Sequence, residues 1–367
     1  MVDSTFLEGA LALHGTLCYR PAILADCLRR LGASSHDETP REVRHHAERI
    51  LRTLGAAPDW ALADRARRWL ESDPARKVLI RGAFGYPETL EAIPDPPPLL
   101  FIEGDTSALN APQVAIVGSR AASAGALEFA AELAQDLAAL GLVVTSGLAR
   151  GIDGAAHRGA LRAGQTVAVL GCGPDRVYPP GHTRLAREVV ACGAVVSEFP
   201  VGASPQAYHF PRRNRLISGL SSGVVVIEAG LASGSLLTAR AALDQGREVF
   251  AVPGSVRNPL SRGCHVLIRE GAHLTEGVAD VLQGLPAHAL ACLRPAGLAG
   301  LAAGAGLPAL GPEQQKVLEA LGFEPTAPAV IAYRAGLTMQ TLSSILIELE
   351  LVGRVRRLLG GTYERIH

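Results

Sequence analysis

From residue 99 to about residue 285 the sequence alternates short aliphatic runs with longer amphipathic stretches. The runs are apolar nearly throughout, as in strands that are covered on both faces of a sheet. Apolar residues at helical spacing fill most of the stretches between them. This alternation predicts an α/β domain built on a doubly wound, mainly parallel sheet. The predicted strands are 99–102, 113–117, 142–145, 166–170, 194–197, 223–227 and 248–252, and the predicted helices include 125–140, 155–163 and 236–245.

The chain on either side of this region predicts further parts. Residues 1–80 carry apolar residues at three- and four-residue spacing and predict a small helical module, which a proline-rich segment at 93–98 follows. Residues 289–311 are rich in Ala, Gly, Leu and Pro and predict a flexible linker. Residues 312–367 predict three helices and a hairpin that turns at Gly360-Gly361, the pattern of a winged helix-turn-helix domain. The predicted domains are therefore 1–80, 81–288 and 312–367, with the linker at 289–311.

The charge of the chain limits the kind of anionic partner it can bind. The formal net charge of the 367 residues is +0, so the whole molecule is no polyelectrolyte binder and any such site is a local patch. Between residues 118 and 272 there are 15 arginines and 11 acidic residues, an excess of +4. Lys77 and Lys316 are the only lysines, and forked guanidinium groups suit phosphate contacts and stacking. Genome base composition is the alternative explanation of the arginine bias.

The cysteines and the first residues indicate the compartment. The six cysteines form no C-x-x-C pair and no metal-like cluster with histidine, which fits free thiols in a reducing compartment. The first residues include no basic segment, and no apolar run reaches the ~20 residues of a membrane span. We therefore expect a cytoplasmic protein without a metal site and without a membrane contact.

Small and polar residues follow four of the predicted strands, at the edge where a parallel sheet binds its ligands. Glycine permits close backbone approach, and serine hydroxyls with helix N-terminal amides form anion sites. Turn geometry alone is the alternative explanation for glycines such as Gly171. The residues expected at this edge are Gly118, Ser119, Arg120, Arg150 and Gly151, together with an anion-binding loop of Gly230, Ser233, Gly234 and Ser235.

The segment Phe210-Pro211-Arg212-Arg213-Asn214-Arg215 combines three guanidinium groups with an aromatic face and an amide. This combination suits a phosphodiester strand, because guanidinium groups bind phosphate oxygens and an aromatic ring stacks on any base. Since the residue before a proline favours extended geometry, we expect Phe210 to lie outside a helix that begins at Asn214. In the alternative interpretation Phe210 is a core residue and the arginines form a solvated face.

Other residues with reactive side chains are expected to have structural roles. Asp153 and His157 have the spacing of an acid–base pair at a helix start, but we expect Asp153 to cap the helix and His157 to pack beneath the loop. Cys172 has no histidine partner evident in the sequence, so we expect it to fill a small space. The chain contains neither a G-x-G-x-x-G with a following acid nor a G-x-x-x-x-G-K, so we expect no dinucleotide cofactor and no Walker-type ATPase.

Four motifs, in this order, resemble the bacterial DNA-processing protein A family, also called DprA or Smf. They are L-A-R-G-I-D-G-A-A-H at 148–157, F-P-R-R-N-R at 210–215, E-A-G-x-x-S-G-S-L-L-T at 228–238 and G-R-E-V-F-A-V-P-G at 246–254. The match extends from about residue 86 to residue 272. The resemblance implies an extended Rossmann fold, a SAM-like helical front module and a winged-helix tail.

The resemblance also implies a function. Members of this family bind single-stranded DNA, form homodimers and load the RecA recombinase onto DNA coated by single-strand-binding protein during transformation and recombination. By position, the DNA groove contains Gly118, Ser119, Arg120 and Phe210, Arg212, Arg213, Asn214 and Arg215, with Arg150 and Gly151 near it. The dimer contact falls on 263–274, with His265 and Leu274 as the pair. Family members often carry lysines around the groove, where this chain has arginines.

Two other functions compete with this expectation. Related Rossmann enzymes hydrolyse nucleoside monophosphates and carry P-G-G-x-G-T-x-x-E, but here Thr238 replaces the catalytic glutamate, so we expect no enzyme. A transcription factor acting through the winged helix is disfavoured because the predicted third helix, 338–351, has two acids and no cation. Arg354, Arg356 and Arg357 in the wing suit a protein contact or an accessory DNA contact.

Overall fold

The computed structural model describes residues 4–32, 39–291, 293–294, 310–351, 353–358 and 360–366. The chain divides into two compact units, residues 1–298 and 299–367. Most of the predicted linker at 289–311 lies outside the described residues. Near its start, the backbone amide of Arg294 donates to the carbonyl of Leu140 (2.8 Å), so this part packs on the first unit.

Four helices form the front of the first unit, as the sequence predicts. They are α1 (Ser4–Leu17), α2 (Pro21–Gly32), α3 (Pro40–Thr53) and α4 (Trp60–Glu71). A capping box of Thr39 and Glu42 begins α3, and the Asp59 carboxylate accepts the amide of Leu62 at the start of α4. The apolar faces of the four helices pack on one another and on Phe101 of the central sheet, so module and sheet share one core.

The described residues of the first unit form a nine-stranded sheet. Its strands are β1 (Arg76–Ile80), β2 (Leu99–Gly104), β3 (Gln113–Gly118), β4 (Val143–Ser146), β5 (Thr166–Val169), β6 (Ala194–Ser197), β7 (Gly223–Ile227), β8 (Glu248–Ala251) and β9 (His273–Leu274). Their spatial order is β1-β2-β6-β5-β4-β3-β7-β8-β9. In this spatial order, all neighbouring strands from β6 through β3 to β9 pair in parallel. At the other edge, β1 pairs antiparallel with β2, and β2 pairs antiparallel with β6. The prediction of a mainly parallel, doubly wound sheet is confirmed.

Helices cover both faces of this sheet. Helices α6 (Ala124–Ala139), α7 (Ile152–Ala160) and α12 (Val278–Gly284) share a core with one face. Helices α5 (Glu88–Glu91), α9 (His209–Leu220), α10 (Gly234–Asp244) and α11 (Arg262–Arg269) share a core with the other. Helix α8 (Thr183–Cys192) packs beside β5 and β6, and the short α13 (Ala287–Leu290) follows α12.

The direction in which the sheet grows reverses at β3. Strands β3 to β6 succeed one another toward one edge, and the chain then returns to place β7 on the other side of β3. Where the strand order reverses in this way, a crevice opens beyond the carboxyl ends of the two strands and is the usual ligand site. The crevice here lies between the loops that follow Gly118 and Ile227, two of the loops that the sequence singled out.

Every predicted strand is present at nearly its predicted position, but the sequence did not reveal β1 and β9. Strand β1 begins with Arg76 and Lys77, has one neighbour, and lies in the range predicted as helical module. Strand β9 has two residues, and both are exposed. Edge strands lack the continuous burial that gives inner parallel strands their aliphatic sequences.

The second unit has the elements predicted for a winged helix-turn-helix domain. Its elements are α14 (Pro312–Leu321), α15 (Pro328–Ala335), α16 (Met339–Leu351) and a hairpin of β10 (Val355–Arg357) and β11 (Tyr363–Arg365). The predicted cap of the third helix is confirmed, because the Thr338 hydroxyl oxygen accepts the amide of Thr341 (3.2 Å). Among the described residues no single helix is long and apolar enough to span a membrane. Helices α15 and α16, bent by 106°, reach that length and composition only as a pair.

Candidate nucleic-acid interface

An open groove of about 860 Å3 lies in the crevice between β3 and β7. Residues from the ends of both strands, from α9 and from the first turn of α10 line it. Most of the predicted site residues lie here, but Arg150, Gly151, Arg212 and Arg215 do not. The predicted residues that line the groove are Gly118, Ser119, Arg120, Phe210, Arg213, Asn214, Gly230, Ser233, Gly234 and Ser235.

Helix α9 presents one face to the groove. Four of its residues, at positions i, i+3, i+4 and i+7, line the groove: Phe210, Arg213, Asn214 and Ile217. The prediction that this helix begins at Asn214 is wrong, because the helix begins at His209 and contains Phe210. Proline is tolerated in a first helical turn, where its missing N–H would have no intrahelical partner. The helical periodicity therefore separates the arginines of this segment onto different faces.

Phe210 and Arg120 lie together in the groove. The Arg120 guanidinium carbon is 5.4 Å from the centroid of the Phe210 ring, and the centroid of the Tyr178 ring is 5.6 Å from that of Phe210. The Phe210 ring is half-buried because it packs on the end of β5, where a Cβ at Gly171 would lie 2.8 Å from the ring. Gly171 is therefore explained by this close approach. The exposed Arg120 beside the ring combines a group suited to bind a phosphate with an aromatic face suited to stack on a base.

The first turn of α10 also lines the groove. Ser233 is the N-cap residue, and its hydroxyl oxygen accepts the amide of Ser235 (3.3 Å). The amide nitrogen of the Asn214 side chain donates to the Gly234 carbonyl (3.2 Å) and so ties α9 to this turn. The first amides of a helix have no intrahelical partner and carry partial positive charge, so this turn is suited to bind an anion.

Arg213 is buried beneath the groove. Its Nη1 donates to the carbonyls of Gly147 (2.8 Å) and Val169, and its Nε donates to the Asn214 side-chain oxygen (3.2 Å). A Cβ at Gly147 would lie 2.5 Å from this guanidinium, which explains the glycine there. Burial lowers the pKa of Arg213 to about 10, so the group remains charged near neutral pH. Arg213 therefore holds the ends of β4 and β5 to α9 through Nη1 and Nε.

The structure corrects the predicted role of Asp153. Gly151 is the N-cap of α7, so Asp153 lies inside the first turn and does not cap it. One carboxylate oxygen of Asp153 instead accepts the amides of Gly147 (3.1 Å) and Ala149 (3.3 Å) in the preceding loop. Burial raises the pKa of Asp153, and the nearby Arg213 guanidinium and the two amides oppose that rise. The carboxylate therefore fixes the loop after β4.

Arg212 and Arg215 lie on the other side of α9 and do not enter the groove, contrary to the sequence prediction. Both form ion pairs with the buried carboxylate of Glu198, and Arg215 also pairs with Asp95 (3.3 Å). Arg212 also donates to the carbonyl of Cys18 in the helical module. An unpaired buried carboxylate is costly, so both cations are held at Glu198. The sequence missed Glu198, which directly follows β6.

Arg150 and Gly151 have supporting positions. Arg150 is exposed but is not among the residues that line the groove. At Gly151 the backbone passes directly beneath the loop that carries Arg120, since a Cβ there would lie 2.1 Å from the Ser119 carbonyl oxygen. The amide of Ile152 donates to that same oxygen (3.2 Å). Gly151 therefore supports the Arg120 loop from below.

Glu228 is a second residue that the sequence missed. It directly follows β7 and has a left-handed backbone (φ 49°), which is strained for a residue other than glycine. Its carboxylate accepts the Ser123 amide (2.8 Å), the Ser123 hydroxyl (2.9 Å) and the side-chain amide of Asn258 (2.9 Å). These bonds fix the end of the loop 119–123 and join it to the loop that follows β8. Glu228 therefore positions the loop that carries Arg120.

The remaining reactive groups are enclosed by structure. Burial raises the pKa of the Cys172 thiol to about 11, and the thiol donates to the Arg176 carbonyl (3.2 Å). His157 is fully buried, and its Nδ1 lies 2.7 Å from the Thr166 hydroxyl. Thr238 lines the groove and supplies a hydroxyl where the related enzymes have a carboxylate. Among the described residues no group of three His, Cys, Asp or Glu side chains is placed to hold a metal ion.

The buried histidines predict a loss of stability in mild acid. Burial lowers the pKa of His157 to about 3 and that of His14, whose Nε2 donates to the Glu198 carbonyl (2.9 Å), to about 4, from the ordinary 6.5. Below pH 6.5 these histidines bind protons in the unfolded chain but stay neutral in the folded chain. The free energy of unfolding therefore falls as the pH falls. We expect each histidine to contribute a loss of about 2 kcal/mol between about pH 7 and about pH 5.

The variant His157→Asn isolates this effect, because asparagine keeps a donor for Thr166 and does not titrate. Asp153 and Glu198, whose pKa values burial raises, act in the opposite sense, and comparison of two chains that both contain them cancels their contribution. Urea unfolding at a series of pH values should show a steeper loss for the wild type. Parallel curves for the two proteins would rule out this role of His157.

The predicted dimer residues lie at the far edge of the sheet from the helical module. Leu274 belongs to the edge strand β9 and is 48% exposed. The His265 Nε2 lies 3.0 Å from the Gly254 carbonyl oxygen, which fixes the ring at the start of α11.

In the winged-helix unit, the α16 residue Glu348 accepts the side-chain amide of Gln314 (2.8 Å). One of the two acidic residues of this helix is therefore hydrogen-bonded within the unit.

The fold and the groove define an extended Rossmann-like α/β protein with an open groove at the switch point and a C-terminal winged helix. The family model described as DNA recombination-mediator protein A matches residues 77–286, and the DprA winged helix domain model matches residues 302–361. The chain belongs to the DNA-processing protein A (DprA/Smf) family of DNA recombination mediators.

Individual relatives support this family. Protein Smf of Escherichia coli is 44% identical over 302 residues, which cover 80% of this chain and 78% of the relative. The DNA processing protein DprA of Streptococcus pneumoniae is 48% identical over 198 residues, 54% of this chain and 70% of the relative. The X-ray structure of DprA from that species has a TM-score of 0.60 at 34% identity, covering 78% of this chain and 99% of that chain. The structure of DNA processing protein A from Helicobacter pylori, solved in a study of its single-stranded DNA binding mode, has a TM-score of 0.52 at 29% identity. The match covers 57% of this chain and 97% of that chain.

Proposed function

We propose that this chain binds single-stranded DNA in the groove between β3 and β7, without sequence preference and without breaking a bond in it. As a recombination mediator it acts as a cytoplasmic homodimer that loads RecA onto DNA coated by single-strand-binding protein, in transformation and recombination. The Helicobacter pylori relative, whose structure concerns single-stranded DNA binding, supports the choice of ligand. Family membership supports the role as mediator.

One observation carries the proposed DNA site: the Arg120 guanidinium lies over the Phe210 ring in a groove that faces the first turn of α10. A phosphate bound between Arg120 and the α10 amides would leave its base beside Phe210. Stacking is tolerant of base identity, because every base has a π face. Double-stranded DNA would not offer an unstacked base to the ring. The geometry therefore favours an unpaired strand.

Fluorescence anisotropy with labelled oligonucleotides tests this proposal. We expect tight binding of oligothymidylate and oligodeoxyadenylate alike, much weaker binding of a duplex of equal length, and affinity that falls as salt rises. Equal affinity for the duplex and the single strand would refute the proposed site, because the groove would then be reading only charge.

The proposal that the protein is not an enzyme has its own test. Among the described residues that line the groove, Asp153 carries the carboxylate, and this carboxylate already accepts two backbone amides. Thr238 lies where the related hydrolases have glutamate. Without a free carboxylate the hydrolysis of a nucleoside monophosphate lacks its acid–base group. Incubation with AMP should therefore release no adenine, and release at a rate proportional to protein concentration would refute the proposal.

RecA loading and dimer formation are proposed on family membership. The exposed Leu274 on the open edge strand β9 supports a contact between two copies at this edge. We expect the full chain to sediment as a dimer and Leu274→Glu to sediment as a monomer. The ATP hydrolysis of RecA on DNA coated by single-strand-binding protein should lose its lag when the chain is added. A persistent lag would contradict loading without bearing on the DNA groove.

The hydrogen bonds of Glu228 predict a loss of DNA affinity when its charge is removed. Glu228→Gln replaces one acceptor oxygen by a donor facing Ser123 or Asn258, so the loop that carries Arg120 loses at least one bond. Hydrogen bonds to charged groups contribute about 1.5–3 kcal/mol each, and we expect roughly tenfold weaker binding of oligothymidylate as the loop loosens. Arg257→Gln, an exposed change near Asn258, is the matched control and should bind nearly as the wild type does. Unchanged affinity for Glu228→Gln would show that the loop needs no such support.

A further inference from the structure

A second aromatic cluster lies at the junction between the helical module and the start of α9. Its members are Tyr208, His209 and Tyr19, which follows α1. The ring centroids of Tyr19 and Tyr208 are 6.1 Å apart, those of Tyr208 and His209 are 4.6 Å apart, and Tyr19 stacks on His209 at 5.7 Å. Tyr208 is 61% exposed and Tyr19 is 48% exposed. Large aromatic faces therefore lie open to solvent beside a buried imidazole.

The position of the Tyr19 ring is fixed by its neighbours. The His209 Nδ1 lies 3.2 Å from the Gly171 carbonyl and donates to it, so the His209 Nε2 accepts the Tyr19 hydroxyl (3.0 Å). The Arg212 guanidinium lies 5.5 Å from the Tyr19 ring and is held by the Cys18 carbonyl. Burial raises the pKa of Tyr19 to about 12, so its phenol stays neutral. A rigid neutral ring beside a cation is suited to stacking at low entropic cost.

This cluster adjoins the groove along the chain. Ala207, which lines the groove, directly precedes Tyr208, and Phe210 follows Tyr208 by two residues. The chain therefore passes from the groove lining to Tyr208, whose ring lies beside that of Tyr19, and back to Phe210 in the groove. Exposed Arg20 directly follows Tyr19 in the chain and adds a cation next to it in sequence. Aromatic rings with interspersed cations are the composition of surfaces that bind single strands.

We propose that Tyr208 and Tyr19 form a second base-stacking surface for the same DNA strand, where it leaves the groove toward the helical module. The inference rests on the proposed function, because the groove supplies the strand. Continuity with the groove selects this occupant over a protein partner. The helical module then contributes directly to DNA binding, and the protein binds more nucleotides than the groove alone can hold.

A length series of oligothymidylates tests the proposal on the full chain. Wild-type affinity should rise from oligomers of about 6 nucleotides, which fill the groove, to oligomers of about 20, which also reach the cluster. Tyr208→Ala should leave the affinity for the short oligomer unchanged and weaken that for the long one roughly tenfold. Tyr208→Phe should behave as the wild type. Tyr208→Leu, which keeps apolar area but has no π face, should behave as Tyr208→Ala.

The outcomes distinguish this proposal from the proposed function. If the wild type binds no oligothymidylate, or if Arg120→Ala binds every length as the wild type does, the groove itself is refuted. If Arg120→Ala weakens every length but Tyr208→Ala weakens none, the groove stands and the second surface is refuted. Equal affinity of Tyr208→Leu and the wild type for the long oligomer would also refute stacking, because packing alone would then explain the ring.

Fluorescence gives an independent readout of the same contact. The chain has two tryptophans, Trp60 and Trp69, both in α4, and Trp69 is buried. Tyr208→Trp adds an exposed indole at the cluster. Long oligothymidylate should quench the added emission, and the short oligomer should not. Quenching by neither oligomer at saturating DNA would place the strand elsewhere and overturn the proposal.

Discussion

Replacing Arg213 by methionine is expected to lower the free energy of unfolding by about 3–5 kcal/mol, because it removes one partner from a buried polar network. The guanidinium serves the carbonyls of Gly147 and Val169 and the Asn214 side chain, and its charge faces that of buried Asp153. Methionine fills a similar volume but leaves these acceptors without a donor. Urea unfolding monitored by circular dichroism measures the loss.

Two further variants make this expectation specific. Arg120→Ala, on an exposed side chain, should change the free energy of unfolding by no more than about 0.5 kcal/mol. The double variant Asp153→Asn with Arg213→Met should recover part of the loss, since it no longer leaves a buried carboxylate without its cation. If Arg213→Met were as stable as the wild type and lost only DNA affinity, Arg213 would be a DNA ligand, as the sequence first suggested.

The double variant Arg120→Ala with Phe210→Ala is expected to bind oligothymidylate about 100-fold more weakly, the largest effect on function. Loss of a stacked base costs ~1–3 kcal/mol, and loss of the guanidinium removes a charge-assisted phosphate contact. Because Arg120 lies over the Phe210 ring, removing the ring also displaces the cation. The single variants should therefore sum to more than the double variant in a double-mutant cycle. Anisotropy titrations of the four proteins measure this coupling.

Salt dependence separates the two contributions. Arg120→Ala should reduce the slope of log affinity against log salt by about 0.7, the value for one phosphate contact on a single strand. Phe210→Ala should weaken binding at every salt concentration and reduce the slope by less than Arg120→Ala does, because it displaces the cation without removing it. Arg240→Ala, which removes an exposed arginine from α10 outside the groove lining, is the control and should leave affinity nearly intact. Equal losses for Arg120→Ala and Arg240→Ala would indicate general electrostatic attraction rather than a site.

The sheet was predictable from the sequence because its inner strands are buried on both faces. A run such as Gly223–Ile227 has no polar residue to disguise it, and glycine or serine follows close behind most of these runs. The edge strand Arg76–Ile80 could not be recognised in this way, since it is only partly buried and begins with two charged residues. Its partner β2 pairs antiparallel with it along the whole strand, a contact that local sequence does not encode.

The sequence predicted where the site lies but not which of its arginines line the groove and which form internal ion pairs. The rule that ligands lie at the carboxyl edge of a parallel sheet located the groove, and Arg120 and Phe210 lie there. The proline at 211 suggested that the helix begins later than it does, which hid the periodicity of the segment. In a helix that includes Phe210, Arg213 and Asn214 lie on the same side as Phe210. Arg212 and Arg215 then lie on another side. That spacing was the available signal.

Buried partners explain the rest of the difference. Nothing near Arg212 and Arg215 in the sequence indicates Glu198, which lies 14 and 17 positions earlier. The same is true of Glu228 and Ser123, which are 105 positions apart. Gly171 follows a predicted strand as a glycine of a ligand loop or a turn would, whereas its lack of a side chain makes room for the Phe210 ring, as that of Gly147 makes room for Arg213. Such contacts depend on how elements pack, and a single sequence does not record them.

A crystal structure of the full chain with a short oligothymidylate would show directly whether the groove binds the strand. We expect a thymine against the Phe210 ring, a phosphate held by Arg120 and the first amides of α10, and Arg212 and Arg215 still paired with Glu198. An oligomer bound elsewhere with the groove empty, or an Arg212 or Arg215 that leaves Glu198 for a phosphate, would contradict this expectation.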